Sequence, residues 1–236
     1  ASSEGFGAHF ARVLAANGAE VVVVARRRDP LESLVDEIQK SGGAALAVTA
    51  DVSDQASVEA AISEAGPLDI VVNNAGVERS GSVLGLSEAD YDYVMDINLK
   101  GVWLVATAAA RQMRDRGQGG SIINIASITG HRGMKGAAPY SVSKAGVLHM
   151  TRQLAQELAR YGIRVNSISP GYFATDLNRE FLASEAGETM RKRIAMRRFG
   201  DFPDLDGALL LLASDASGFM TGSDIAVDGG HLLYSL

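Results

Sequence analysis

The chain contains no cysteine. Thiolate nucleophiles, iron–sulfur clusters, cysteine zinc sites and a disulfide framework are therefore excluded. It also lacks long apolar runs. The longest nearly unbroken ones, 21–25, 101–110 and 208–213, fall well short of the roughly eighteen residues a membrane helix needs. No basic stretch followed by an apolar stretch opens the chain, so nothing marks it for secretion, and a soluble, cytoplasmic protein is the default expectation. Positive charge is in deficit, with a formal net charge of −6, which argues against a nucleic-acid partner. Ser/Pro-rich linkers, low-complexity tracts and repeats are absent too, so one domain is expected over 1–236.

What is present is an ordinary globular composition over 236 residues, 47% hydrophobic and 21% charged. Apolar runs rich in β-branched residues alternate with helical periodicity, the pattern of an α/β protein with a parallel sheet covered on both faces. Strands are expected at 20–25, 44–50, 68–73, 121–126, 163–169 and 224–227. Helices are expected at 7–17, 30–41, 54–64, 87–116, 139–161 and 205–213. The least patterned stretch, 172–203, is long enough to read as a lid over a ligand. The first residues, Ala1 to Gly7, have loop composition and lead directly into a helix. A glycine loop of this kind is normally aimed by a preceding strand, so a first strand is expected upstream of this sequence.

Gly5-Phe6-Gly7 at that helix start lets backbone approach a pyrophosphate, beside free N–H groups and the positive end of the helix dipole. Alone it is equally a turn. About twenty residues further on, a dinucleotide site places an acid against the ribose 2′-hydroxyl. Here stand Ala25 and Arg26-Arg27-Arg28, and guanidinium groups suit a 2′-phosphate, which favours NADP over NAD. Glu4 pulls the other way. Asn73-Asn74-Ala75-Gly76 follows a strand and either lines a crevice or is a plain Asn-rich turn.

Tyr140-Ser141-Val142-Ser143-Lys144 is the most informative segment. Pro139 favours a helix start, and the four-residue spacing puts Tyr140 and Lys144 on one face. A fixed ammonium near a phenol is the means of making tyrosine an acid/base near neutral pH. Ser127, just past a strand, is set to hold a substrate oxygen. Asn98 costs helix propensity where it stands and is a candidate for a hydrogen-bonding role.

With its glycine loop, Asn73 to Gly76, Asn98, Ser127, Tyr140 with Lys144, and Pro170-Gly171 with Thr175, the chain resembles the short-chain dehydrogenase/reductase family along nearly its whole length. The resemblance implies a doubly wound Rossmann-type sheet of order 3-2-1-4-5-6-7 and an NAD(P) cofactor. It further implies a catalytic set in which Tyr140 is the acid/base and Ser127 orients the carbonyl or hydroxyl. In that set Lys144 binds the ribose and lowers the tyrosine pKa, and Asn98 holds a relay water. Cofactor contacts are implied at Ser3, Gly5, Phe6, Gly7, Asn74, Ala75, Gly76, Tyr140 and Lys144, at Asp51 and Val52 beside the adenine, and at Pro170, Gly171, Phe173 and Thr175 beside the carboxamide. Arg26 joins them by its charge. The family's glycine pattern has a glycine where Ala1 stands, a departure that bears on the loop contacts.

The four histidines show no metal spacing, so no metal is expected. His131 reads as loop surface, with a place in the substrate pocket as the alternative. The basic run Arg191 to Arg198 reads as a salt-bridged face or as a dock for acyl carrier protein. Tyr172, Phe173, Phe181 and Phe199 suit an apolar pocket. The expectation is an enzyme of the carbonyl reductase or alcohol dehydrogenase type acting on a small-molecule ketone or secondary alcohol. The alternatives are a 3-oxoacyl-(acyl carrier protein) reductase, a sugar alcohol dehydrogenase and a catalytically silent dinucleotide-binding scaffold. The resemblance implies a homotetramer paired through helices 87–116 and 139–161, and the apolar tail 231–236 fits burial at a subunit contact.

Overall fold

The computed structural model describes residues 5–174 and 179–233. Ser3, Glu4, Thr175 and the tail beyond Leu233 lie outside them, as does the side chain of Phe181. The elements in order are α1 (Phe6–Ala16), β1 (Glu20–Ala25), α2 (Arg28–Lys40), β2 (Ala44–Thr49), α3 (Gln55–Ala65), β3 (Ile70–Asn73), α4 (Glu88–Met95), α5 (Gly101–Arg116), β4 (Gly120–Ile125), α6 (Ala138–Leu158), β5 (Ile163–Pro170), α7 (Arg179–Ala183), α8 (Glu185–Arg191), α9 (Asp206–Ala213) and β6 (Asp224–Val227).

All strand pairs are parallel, in a pair β1-β2 and a run β3-β4-β5-β6. The period-two alternation of the strands divides the core. Ile122 faces one layer with Ala106, Ala109, Met113 and Leu154 of α5 and α6, beside Ile163 and Val165. Its neighbour Ile123 faces the other layer, with Phe10 of α1 and Leu205, Leu209 and Leu212 in and beside α9. Each such fully buried side chain contributes on the order of 1.5–3 kcal/mol. The result is the doubly wound Rossmann-type arrangement.

Between β1 and β3 the sheet is open. The edges Val21–Val24 and Ile70–Asn73 line a cavity of about 570 Å³, floored by Phe10, Ala11 and Leu14.

Two differences from the sequence expectation affect the site. The helix expected over 87–116 is two helices joined by a π-helical turn, Asp96–Lys100, which holds Asn98. The stretch 172–203 is not irregular throughout, because it contains α7 and α8.

Candidate active site

The carboxyl ends of β3, β4 and β5 converge with the first turn of α6, and this junction brings the expected catalytic residues together. Pro139 occupies the first turn of α6, so Tyr140 and Lys144 stand one turn apart, with the Lys144 Nζ 5.7 Å from the Tyr140 ring centre. Lys144 is buried, donates a 2.7 Å hydrogen bond to the Ile125 carbonyl at the end of β4, and is pushed down to about 8 by burial. Ser127 follows β4 and caps a short turn, Ile128–Gly130, by accepting from the Thr129 N–H (3.2 Å) and hydroxyl (3.0 Å). Burial raises the Tyr140 phenol above the ordinary tyrosine value, and a hydrogen bond with Ser127 opposes the rise. The negative charge of Glu78 adds to it. Burial, and not Lys144, thus dominates the phenol in the protein alone.

Asn98 is fully buried and its amide is committed. Its Oδ1 accepts from the Val77 N–H at 2.8 Å, while Nδ2 donates to the Val77 carbonyl at 2.9 Å and to Ser143 Oγ at 3.1 Å. The π turn therefore clamps the loop after β3 onto α6. A methyl group at Gly76 would stand 3.6 Å from both Asn98 Oδ1 and Lys144 Nζ, so Gly76 borders the same site. Asn73 ties β3 to β4 through its 2.9 Å hydrogen bond to Asn124.

The dinucleotide residues form a track along the same strand ends. Gly5 precedes α1 with φ of 103°, a conformation that favours glycine, and no described side chain caps the helix. Free N–H groups and the helix dipole at that end fit a pyrophosphate. Arg26 and Arg27 are exposed after β1, whereas Arg28 is spent on Glu32 at 2.6 Å. Asp51 accepts from Ser53, and the field of Arg26 contributes to holding its carboxyl below the usual range. Val52 packs against Gly101 of α5. Gly171 donates to the Val227 carbonyl at 2.9 Å, and a Cβ there would lie 2.7 Å from the Asp228 Cα. This close approach keeps the segment after β5 folded against β6.

Several expectations need correction. The Phe6 ring stacks on Phe10 and meets Phe173 and Phe202 edge-on at 5.3 and 5.4 Å. Phe173 is buried in that cluster and against Gly200, and Phe6 is partly buried in it, so both rings pack toward the core. His131 is exposed, as the loop-surface reading expected, and its Nε2 lies 2.8 Å from Asp224 and 3.3 Å from Ser169. Of the basic run, Arg191 pairs with Glu188 and Arg198 with Asp204, so its solvated-face reading holds for those two. Tyr172 donates to Met134 Sδ at 3.3 Å, on the loop between Ser127 and Tyr140, and meets His231 edge-on at 5.3 Å. His231 was missed by spacing arguments, and only the apolar character of the tail hinted at a packed end.

With this geometry in hand, the comparisons are decisive. A family model described as enoyl-(acyl carrier protein) reductase matches residues 1–231. Oxidoreductase UcpA of Salmonella typhimurium is 40% identical, covering 98% of this chain and 92% of its own. The chain belongs to the short-chain dehydrogenase/reductase family. It is also 38% identical to the 3-oxoacyl-[acyl-carrier-protein] reductase FabG of Staphylococcus aureus, over 97% of this chain and 94% of that one. A solved gluconate 5-dehydrogenase from Burkholderia cenocepacia, in complex with NADP and tartrate, superposes with a TM-score of 0.94 at 37% identity, covering 99% of this chain and 93% of that one. Members of the family are dehydrogenases and reductases acting between CH–OH and C=O, and this chain is such an NAD(P)-dependent oxidoreductase. Among the described residues no helix is long and apolar enough to cross a membrane.

Proposed function

We propose that the enzyme interconverts a ketone and a secondary alcohol by direct hydride transfer with NADP(H), using Tyr140 as acid/base. The observation that carries this is the joint placement of Ser127, Tyr140 and Lys144 at one strand-end junction. When bound, the nicotinamide supplies or accepts the hydride. Ser127 holds the substrate oxygen against the phenol. Tyr140, kept protonated by burial, gives its proton to that oxygen in reduction and takes it back in oxidation. The Lys144 ammonium binds the ribose hydroxyls and draws the phenol pKa down. Asn98 holds a relay water through its main chain, since its side-chain amide is engaged. The chain acts as a single domain with 172–203 as a cover over the substrate.

Arg26, in the open position after β1, favours NADP, as does the NADP in the Burkholderia cenocepacia relative. Titration with NADPH and NADH tests this. Arg26→Ala is expected to weaken NADPH binding by about tenfold or more, the size of a lost charge-assisted contact, and to spare NADH. Equal weakening of both would overturn the preference. The carbonyl reductase or alcohol dehydrogenase type ranks ahead of acyl carrier protein reduction, because Arg191 and Arg198 already hold internal carboxylates. The homotetramer is supported by Trp103 of α5 and Val142 of α6, 49% and 52% exposed on the two helices that would pair. Light scattering should then give four protomers, and a monomer would defeat it.

A further inference from the structure

We propose that His131 is a positioning residue, which through Asp224 fastens the turn carrying Ser127 to β6 and to the last residues of β5. The kinetic part of this inference rests on the ketone/alcohol chemistry proposed above. Ser127 heads the short turn Ile128–Gly130, and the hydrogen bonds of that turn are local. The Gly130 N–H donates to the Ser127 carbonyl at 2.9 Å, and the His131 and Arg132 N–H groups donate to the Ile128 carbonyl at 3.1 and 3.0 Å. Ser127 Oγ accepts from Thr129. Bonds of this kind shape the turn without fixing it against the sheet.

His131 follows the turn directly, and its side chain reaches out of it. Its Nε2 lies 2.8 Å from Asp224 Oδ2 and 3.3 Å from Ser169 Oγ. A carboxylate only accepts, so this nitrogen carries the proton. Asp224 opens β6 and is held ready for the contact. Its Oδ1 accepts from Ser167 Oγ at 2.6 Å and from Ser169 Oγ at 2.9 Å, which leaves Oδ2 to the imidazole. Both serines are fully buried on β5, so the carboxylate is oriented from inside the fold.

The histidine and aspartate side chains are 30% and 13% exposed, and a partly wetted pair of this kind adds little to global stability. What it adds is direction. Gly130 packs on the α6 backbone at Lys144 and sets how closely the turn approaches that helix. His131 holds the same turn toward β6, and Ser169 stands immediately before Pro170-Gly171, the expected carboxamide contacts. The link therefore connects the residue that holds the substrate oxygen to the segment that holds the nicotinamide, and alignment of the two decides the rate of hydride transfer.

The test uses acetophenone and ethyl acetoacetate with NADPH. His131→Ala should lower kcat by about tenfold, with the NADPH Kd unchanged and Tm within about 3 °C of wild type. His131→Gln, whose amide nitrogen can stand where Nε2 stands, should recover kcat to within about threefold, and the shorter His131→Asn should behave as the alanine variant. Asp224→Ala should match His131→Ala, and the double variant should be no slower than either. Hydrogen exchange on the NADP-loaded protein reads the link without a substrate: the Gly130, His131 and Arg132 amides should exchange faster in His131→Ala and at the native rate in His131→Gln. Wild-type kcat in His131→Ala, a glutamine variant as slow as the alanine one, or losses that multiply in the double variant would overturn the assignment. If the wild-type protein reduces neither ketone, the proposed function falls, and the exchange pattern alone then upholds or overturns the link.

Discussion

Replacing Tyr140 by Phe is expected to lower kcat by about 10²–10⁴-fold, the range for removing a positioned general acid, while NADPH binding survives. The ring keeps its place on α6, and Ser127 retains its hydrogen bonds from Thr129, so folding should be little affected. Steady-state turnover and an NADPH titration on the same preparation check both halves. The pH profile carries a further sign. Burial raises the phenol pKa, so the proton needed for reduction is present throughout the neutral range. On the alkaline side the first loss in reductive kcat/KM comes from Lys144, whose ammonium is pushed down to about 8, and ionisation of the phenol, raised by burial, follows at higher pH. Full turnover by the Phe variant on the enzyme's own substrate would remove Tyr140 from the chemistry.

Gly130→Ala should be nearly as damaging without touching a reacting atom. A Cβ at this position would lie 2.8 Å from the Lys144 carbonyl carbon, 2.9 Å from its oxygen and 3.0 Å from the Ala145 nitrogen. These are backbone atoms of α6, so no side-chain rotation relieves the clash, and the Ser127 turn must move away from the helix that carries Tyr140 and Lys144. Displacements of about 1 Å in a catalytic constellation cost on the order of 10²-fold in rate. Overpacking of this kind costs about 1–3 kcal/mol in stability. Thermal unfolding and kcat measured together should show a rate loss far larger than the unfolded fraction explains. A variant with wild-type kcat would mean that the close packing of Gly130 on α6 does not set the catalytic alignment.

The chemistry of the site was legible because it is written locally. Pro139, Tyr140 and Lys144 lie within one and a half turns of a single helix, and Ser127 follows a buried strand marked by Ile122, Ile123 and Ile125. Among the strands the pair Ile122-Ile123 announces its burial, whereas in the run Val21–Val24 only Val23 is buried. Contacts between distant segments were not legible. His131 meets Asp224 across 93 positions, and nothing in the periodicity of either segment records the pairing. Phe6 and Phe173 are both expected cofactor contacts, and their rings meet edge-on, a matter of side-chain direction that spacing does not fix. The π turn at Asn98 was hidden as well. Its local composition is compatible with a continuous helix, and the reason for the extra residue lies in the clamp on Val77, 21 positions away. The packing of 194–196 on Gly229 and Gly230 belongs to the same class, since the segment after α8 and the glycines before His231 lie far apart in the sequence.

The most direct test of the account is a single turnover of a ketone substrate with NADPH carrying deuterium at the transferable nicotinamide position. Direct transfer, with Tyr140 serving only the oxygen, predicts that the label appears on the carbinol carbon of the product and that solvent supplies the hydroxyl proton alone. Label lost to water, or product formed with hydrogen from solvent on that carbon, would contradict hydride transfer at this site.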